Sequence, residues 1–157
     1  MNLRTVYIDS SVIGGYFDTE WEAATGELWR QWRNGAWRFV TSTVTAAEMR
    51  GAPEQVRQLF EETFPAAGWL ACGVEAELLA EHYLSAGMLP RKFSDDARHV
   101  AACVMGGCLV LISWNFRHLA NVTREAGFNA VNLLQGRPPL RIVSPLELIY
   151  ENETEDL

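Results

Sequence analysis

The sequence predicts an α/β domain with a mainly parallel central sheet, and three observations carry that expectation. Short apolar or β-branched runs alternate with longer segments of helical period along the whole chain. Residues 108–112, Cys-Leu-Val-Leu-Ile, are unbroken apolar, the pattern of a strand buried on both faces. Polar side chains gather where strands end, at Asp9, Ser113 and Asn115, and an open α/β sheet binds its ligands beyond those ends.

Taken in order, residues 5–8 form a β-branched and aromatic strand that ends in Asp9. This acid either points into the crevice beyond the strand or caps the helix that follows. Residues 21–34 carry Ala24, Leu28, Trp29 and Trp32 near helical spacing, and Asn34-Gly35 stops the helix. Tryptophans suit base or cofactor stacking, but at this spacing core packing is their more ordinary use. Residues 37–41 read as a second strand, after which Ser42 or Thr43 caps a helix carrying Ala46, Ala47, Glu48 and Met49. Glu48, among small and apolar neighbours just after a strand, faces either the site or solvent. Gly51-Ala52-Pro53 breaks the chain, and Pro53 suits the first position of a helix with Val56, Leu59 and Phe60 inward. Residues 68–72 are a weak strand or an extended connection. Residues 74–88 are a helix with Leu78, Leu79, Tyr83 and Leu84 inward, ended by Gly87 and Pro90.

The next helix starts at Ser94, a natural N-cap, with Asp95 and Asp96 in its first turn, where the helix dipole favours carboxylates. Val100, Cys103 and Gly107 share a stripe with Asp96, so Asp96 points inward. Gly106-Gly107 ends this helix and the buried strand follows. Residues 119–134 read as a helix with Val122, Ala126, Asn129, Ala130 and Leu133 on its packed side. Residues 140–143 read as an edge strand, and Ser144-Pro145 opens a short helix through Tyr150. Residues 1–150 thus form a single domain, and the acidic tail 151–157 is expected to fray.

A length of 157 residues, 48% hydrophobic, suffices for one domain with a real core. No apolar run approaches the roughly 18 residues of a membrane span. No charged-then-apolar leader opens the sequence, so a cytoplasmic protein is the expectation. Cys72, Cys103 and Cys108 lack metal-type spacing; Cys103 and Cys108 read as buried free thiols, which suits a reducing compartment. The net charge of −7 argues against a general nucleic-acid binder, whose grip on the backbone rests on basic surface. It also leaves acids free to gather around a cation.

Four polar positions stand out: Asp9, Glu48, Asp96 and Asn115. Three carboxylates and an amide are hard oxygen donors, which suit Mg²⁺ or Mn²⁺ rather than zinc. Crowded carboxylates repel and raise one another's pKa, and a divalent ion relieves this. No Ser-His-Asp triad fits, and neither Gly-Gly pair has phosphate-loop spacing. His99, three residues after Asp96, is either a supporting partner or a structural residue. Arg91 and Lys92, just before the Ser94 helix, either hold a phosphate backbone or are a solvated pair.

At this point a resemblance becomes specific. The motifs Tyr-Ile-Asp-Ser-Ser-Val (7–12), Ala-Ala-Glu-Met (46–49), Asp-Asp-Ala-Arg-His-Val-Ala-Ala-Cys (95–103) and Leu-Val-Leu-Ile-Ser-Trp-Asn-Phe-Arg-His-Leu (109–119) occur in order over nearly the whole chain. Together they resemble the PIN-domain proteins of VapBC toxin–antitoxin systems. The resemblance implies a three-layer α/β/α fold, Mg²⁺- or Mn²⁺-dependent endoribonuclease activity on RNA, a homodimer and a neutralising antitoxin. By position it makes Asp9, Glu48 and Asp96 the metal-binding acids and Ser11 and Ser113 supporting hydroxyls. Asn115 stands where the family pattern commonly has Asp, an oxygen donor without the charge. Rival readings are a catalytically weak PIN-like module that binds RNA or a protein, and a phosphohydrolase acting on a small substrate.

Overall fold

The computed structural model describes residues 4–155. Four parallel strands, β1 (Arg4–Ile8), β2 (Trp37–Val40), β3 (Val110–Ile112) and β4 (Arg141–Val143), lie in the order β2-β1-β3-β4. The apolar runs that mark these strands fill the middle of the sheet: Val6, Tyr7, Ile8, Leu111 and Ile112 are all buried. Alternate side chains leave opposite faces of a strand, so the sheet feeds two cores. Tyr7, Leu111 and Ile142 join one core with α5 (Val74–Ser85), α6 (Ser94–Met105) and α7 (Val122–Leu134). Val6, Ile8, Ile112 and Val143 join the other with α1 (Ser10–Gly15), α2 (Glu22–Arg33), α4 (Glu54–Thr63) and α8 (Pro145–Glu155). Helix α3 (Thr43–Met49) follows β2 at the carboxyl edge of the sheet. The architecture is the three-layer α/β/α sandwich that the sequence leads one to expect.

Several sequence expectations need correction. Asp9 does cap a helix, α1, which the double glycine had hidden; its carboxylate accepts from the Val12 amide at 3.2 Å. Ser94 is not a cap. A 3₁₀ turn at Arg91–Phe93 runs into α6, and Phe93 takes the cap position without a side-chain hydrogen bond. Residues 68–72 hold only a single bridge, Ser42 to Leu70, after a 3₁₀ turn at Ala66–Gly68. On α5 the buried stripe is Ala76, Leu79, Ala80 and Tyr83, and Leu78 faces solvent. On α7 the face is reversed: Phe128, Val131 and Asn132 are buried, while Val122 and Leu133 are exposed. The physical reason is a polar core contact, since Tyr83 donates to Asn132 Oδ1 at 2.5 Å and so draws an amide inside. Helix α8 runs past Tyr150 to Glu155, and residues 156–157 of the acidic tail lie outside the described residues.

The tryptophans mostly pack. Trp29 and Trp37 are buried, with indole N–H groups donating to Thr63 and Gln31. All three cysteines are free, Cys103 and Cys108 buried and Cys72 half-buried. Among the described residues no helix is long and apolar enough to cross a membrane.

Candidate active site

Parallel strands deliver their last residues to one edge of the sheet, and the four singled-out polar residues gather there. β1 ends at Asp9, which is 3% exposed. Ser11, in the first turn of α1, donates to Asp9 Oδ1 at 2.6 Å. Its hydroxyl also lies 3.3 Å from that of Ser113, just beyond β3, and accepts from the Trp114 amide at 2.9 Å. The two serines therefore tie Asp9 to the neighbouring strand end. Burial pushes the Asp9 carboxyl above its usual range, against the lowering effect of His99, Ser11, Ser113 and the Val12 amide.

Helix α3, capped by Ser42, brings in Glu48. Ser10 donates to Glu48 Oε1 at 2.8 Å, and His99 Nε2 lies 2.5 Å from the same oxygen. His99 comes from α6 and is buried. Its Nδ1 is 2.7 Å from the Tyr7 hydroxyl, which in turn is 2.6 Å from Ser42 Oγ. Burial opposes charge on both members of the Glu48–His99 pair, but their contact outweighs it. Glu48 is held below the usual carboxyl range, and His99 above the usual imidazole value, aided by Asp9 and Asp96.

Asp95 and Asp96 open α6 but diverge. Asp95 pairs with Arg98 at 3.0 Å on the surface, whereas Asp96 turns inward. Asp96 Oδ2 is 3.4 Å from Asn115 Nδ2 and 3.3 Å from His118 Nδ1. Burial raises its pKa, with the charges of Asp9 and Glu48 adding to the rise and His99 and His118 opposing it. The Asn115 amide orientation follows from its neighbours, because Oδ1 accepts from the His118 backbone at 3.0 Å and Nδ2 is left to face Asp96. Asn115 N–H also donates to Ser113 Oγ at 2.9 Å.

Arg91 is held by Glu81 through two hydrogen bonds, at 2.7 and 3.1 Å. Lys92 lies over the Phe93 ring, whose centroid is 4.0 Å from that of His118, so Lys92 is the member of the pair connected to the site. Ser10, Tyr7, Ser42 and His118 were not singled out in the sequence. Ser10 and His118 sit beside residues that were. Tyr7 and Ser42 read as ordinary strand and cap residues, and only the fold reveals their contact with His99.

The donor chemistry suits a hard divalent cation: oxygen ligands, among them the buried Asp9 and half-buried Asp96 carboxyls, both held above their usual range. Glu48, however, is engaged by His99 and Ser10. Among the described residues no three His, Cys, Asp or Glu side chains converge as a finished metal cage. The residues therefore fit an ion that keeps several waters, as Mg²⁺ does, and do not fit one enclosed by protein.

No family model matches the sequence, and no curated protein matches it either. Similar solved structures include VapBC2 from Rickettsia felis bound to a DNA fragment from its promoter. It has a TM-score of 0.54 at 10% identity, with 89% of this chain and 98% of the other covered. DNA-bound VapBC from Salmonella typhimurium gives 0.55 at 16% identity, covering 92% of this chain and 99% of the other. At such identities the likeness is one of fold alone, and with the parallel sheet and its flanking helices it gives this chain a PIN-like α/β/α fold.

Proposed function

We propose that this protein is a divalent-metal-dependent endoribonuclease of the PIN type, acting as the toxin of a toxin–antitoxin pair. The observation that carries the reading is the meeting of Asp9, Glu48, Asp96 and Asn115 at the carboxyl edge of the sheet in a PIN-like fold. Asp9, Glu48 and Asp96 would hold Mg²⁺ or Mn²⁺, which when bound supplies activation of water and stabilisation of charge on the phosphoryl oxygens. Ser11 and Ser113 fix the Asp9 carboxylate, His99 and Ser10 fix Glu48, and Asn115 and His118 fix Asp96. Lys92 attracts the RNA backbone as it approaches, while Arg91 must leave Glu81 to do so. The same reading carries a cytoplasmic location, a homodimer and a small antitoxin partner encoded beside the toxin.

One experiment tests it: incubation of the purified protein with RNA in Mg²⁺, Mn²⁺ or chelator. Cleavage with either ion and none with chelator is the expected result. A second reading, a PIN-like module that binds RNA or protein without cutting, is favoured by the unfinished metal cage and the net charge of −7. RNA binding with no cleavage in either ion would select it.

A further inference from the structure

We infer that Trp21, Phe116 and Arg117 form a nucleotide subsite on the rim of the acid cluster. An unpaired RNA base stacks in the corner between Trp21 and Phe116, and a neighbouring phosphate meets Arg117; this rests on the ribonuclease reading above.

The corner has a fixed floor. The Trp114 indole is buried, and its N–H donates to Thr25 Oγ1 at 3.0 Å. Trp21 lies flat on Trp114, with ring centroids 4.2 Å apart and planes within 17°. Phe116 does not continue this stack. Its centroid is 5.9 Å from that of Trp21, its plane is tilted by 56°, and it is 43% exposed. Its open face lies one residue from the amide that touches Asp96, beside the Trp21–Trp114 stack, which places an aromatic corner at the edge of the acid cluster.

The charges agree with this assignment. Arg117 is exposed, and among the described residues its guanidinium has no ion pair or hydrogen bond. Its carbonyl is fixed, accepting from Asn121 at 3.2 Å and Arg124 at 3.4 Å. Arg91 and Arg98, by contrast, are occupied by Glu81 and by Glu77 with Asp95. Asp18 and Glu20, on the turn that carries Trp21, repel phosphate, so a base rather than the backbone belongs against Trp21. Stacking of bases on aromatic rings beside a cation is how single strands are held, and it tolerates any base.

The test is fluorescence anisotropy in chelator, which stops cleavage, with two labelled probes of roughly ten nucleotides: an oligouridylate and an abasic strand of equal length. Phe116→Ala should bind the oligouridylate about ten-fold more weakly and the abasic strand unchanged, while Phe116→Tyr stays within about two-fold of wild type. Arg117→Ala should lower the salt dependence by about one phosphate contact on both probes. Circular dichroism melts confirm that each variant is folded. Wild-type binding of the oligouridylate by Phe116→Ala, or equal weakening on both probes, overturns the subsite. If that variant binds normally while the wild type still cleaves RNA, the subsite falls and the ribonuclease reading stands. If the wild type neither binds nor cleaves, both fall.

Discussion

Asp96 is the residue on which the site is most exposed to test. It is drawn inward to Asn115 and His118, and its charge is opposed by burial and by Asp9 and Glu48. Asp96→Asn should reduce RNA cleavage by about 100-fold or more, as loss of a preorganised polar group at a reacting centre does. The fold should survive, with a metal-free melting temperature equal to or above wild type, since one repelling charge is gone. Wild-type cleavage by this variant would sink the assignment. The pH dependence follows from the same groups. Asp9 and Asp96 titrate above their ordinary value of 3.8, so their ionisation opposes folding. Stability of the metal-free protein should fall as pH rises from that value through the raised pKa values, and Asp96→Asn should flatten the fall. The Glu48–His99 pair acts differently. Its contribution is full between about 4.5 and 6.5, is lost below as Glu48 protonates and is lost above as His99 deprotonates. Melts in chelator across this range measure both effects. Asn115→Asp replaces a donor to Asp96 with a fourth carboxylate. It should lower the metal-free melting temperature and strengthen binding of a second Mn²⁺ by calorimetry; no change in either would show that Asn115 does not set the metal count.

At the scale of elements, α1 is pinned to the loop after β3 by close packing. A methyl group added at Gly15 would lie 2.7 Å from the Trp114 indole, which is buried and cannot retreat. Gly15→Ala should therefore destabilise the protein by about 1–3 kcal/mol, as overpacking does. Gly127→Ala meets only the flexible end of Met88, and the difference between the two denaturation midpoints checks the contrast. How far each element was legible depended on how local its determinants are. Strands β1 and β3 declared themselves by composition, and Asp9 and Asn115 by standing at their ends. Asp96 was separable from Asp95 because helical spacing alone decides which of two neighbours points inward. The packed face of α7 was not legible, because its core contact is an amide meeting a tyrosine from α5 while leucines face water. The Tyr7–His99–Glu48 chain was hidden for the same reason: it joins β1, α6 and α3, and no local pattern announces it.

For the whole molecule, Trp29 and Trp37 are buried and offer nothing to a partner, so a surface for self-association has to lie elsewhere. Val74 and Leu78 on α5, and Leu133 and Leu134 at the carboxyl end of α7, are large apolar side chains left in solvent on two adjoining helices. Between α5 and the residues just after α7 lies a cleft lined by Glu75, Leu78, Leu79, His82, Gln135 and Arg137, so the apolar side chains have a polar border. An apolar surface of this kind marks an interface. Light scattering at micromolar concentration should give a dimer, and Leu78→Asp with Leu134→Glu should give a monomer; a strictly monomeric wild type would count against it. The sheet order carries one more consequence, for biosynthesis. β1 stands between β2, its near neighbour in sequence, and β3, where Tyr7 must find Leu111 across most of the chain. Parallel pairings this distant are slow, because the loop between them must close before contacts reward it. The candidate site therefore draws on residues made far apart in time: Glu48 soon after the first two strands, and Asp96 and Asn115 only after the chain has passed its midpoint.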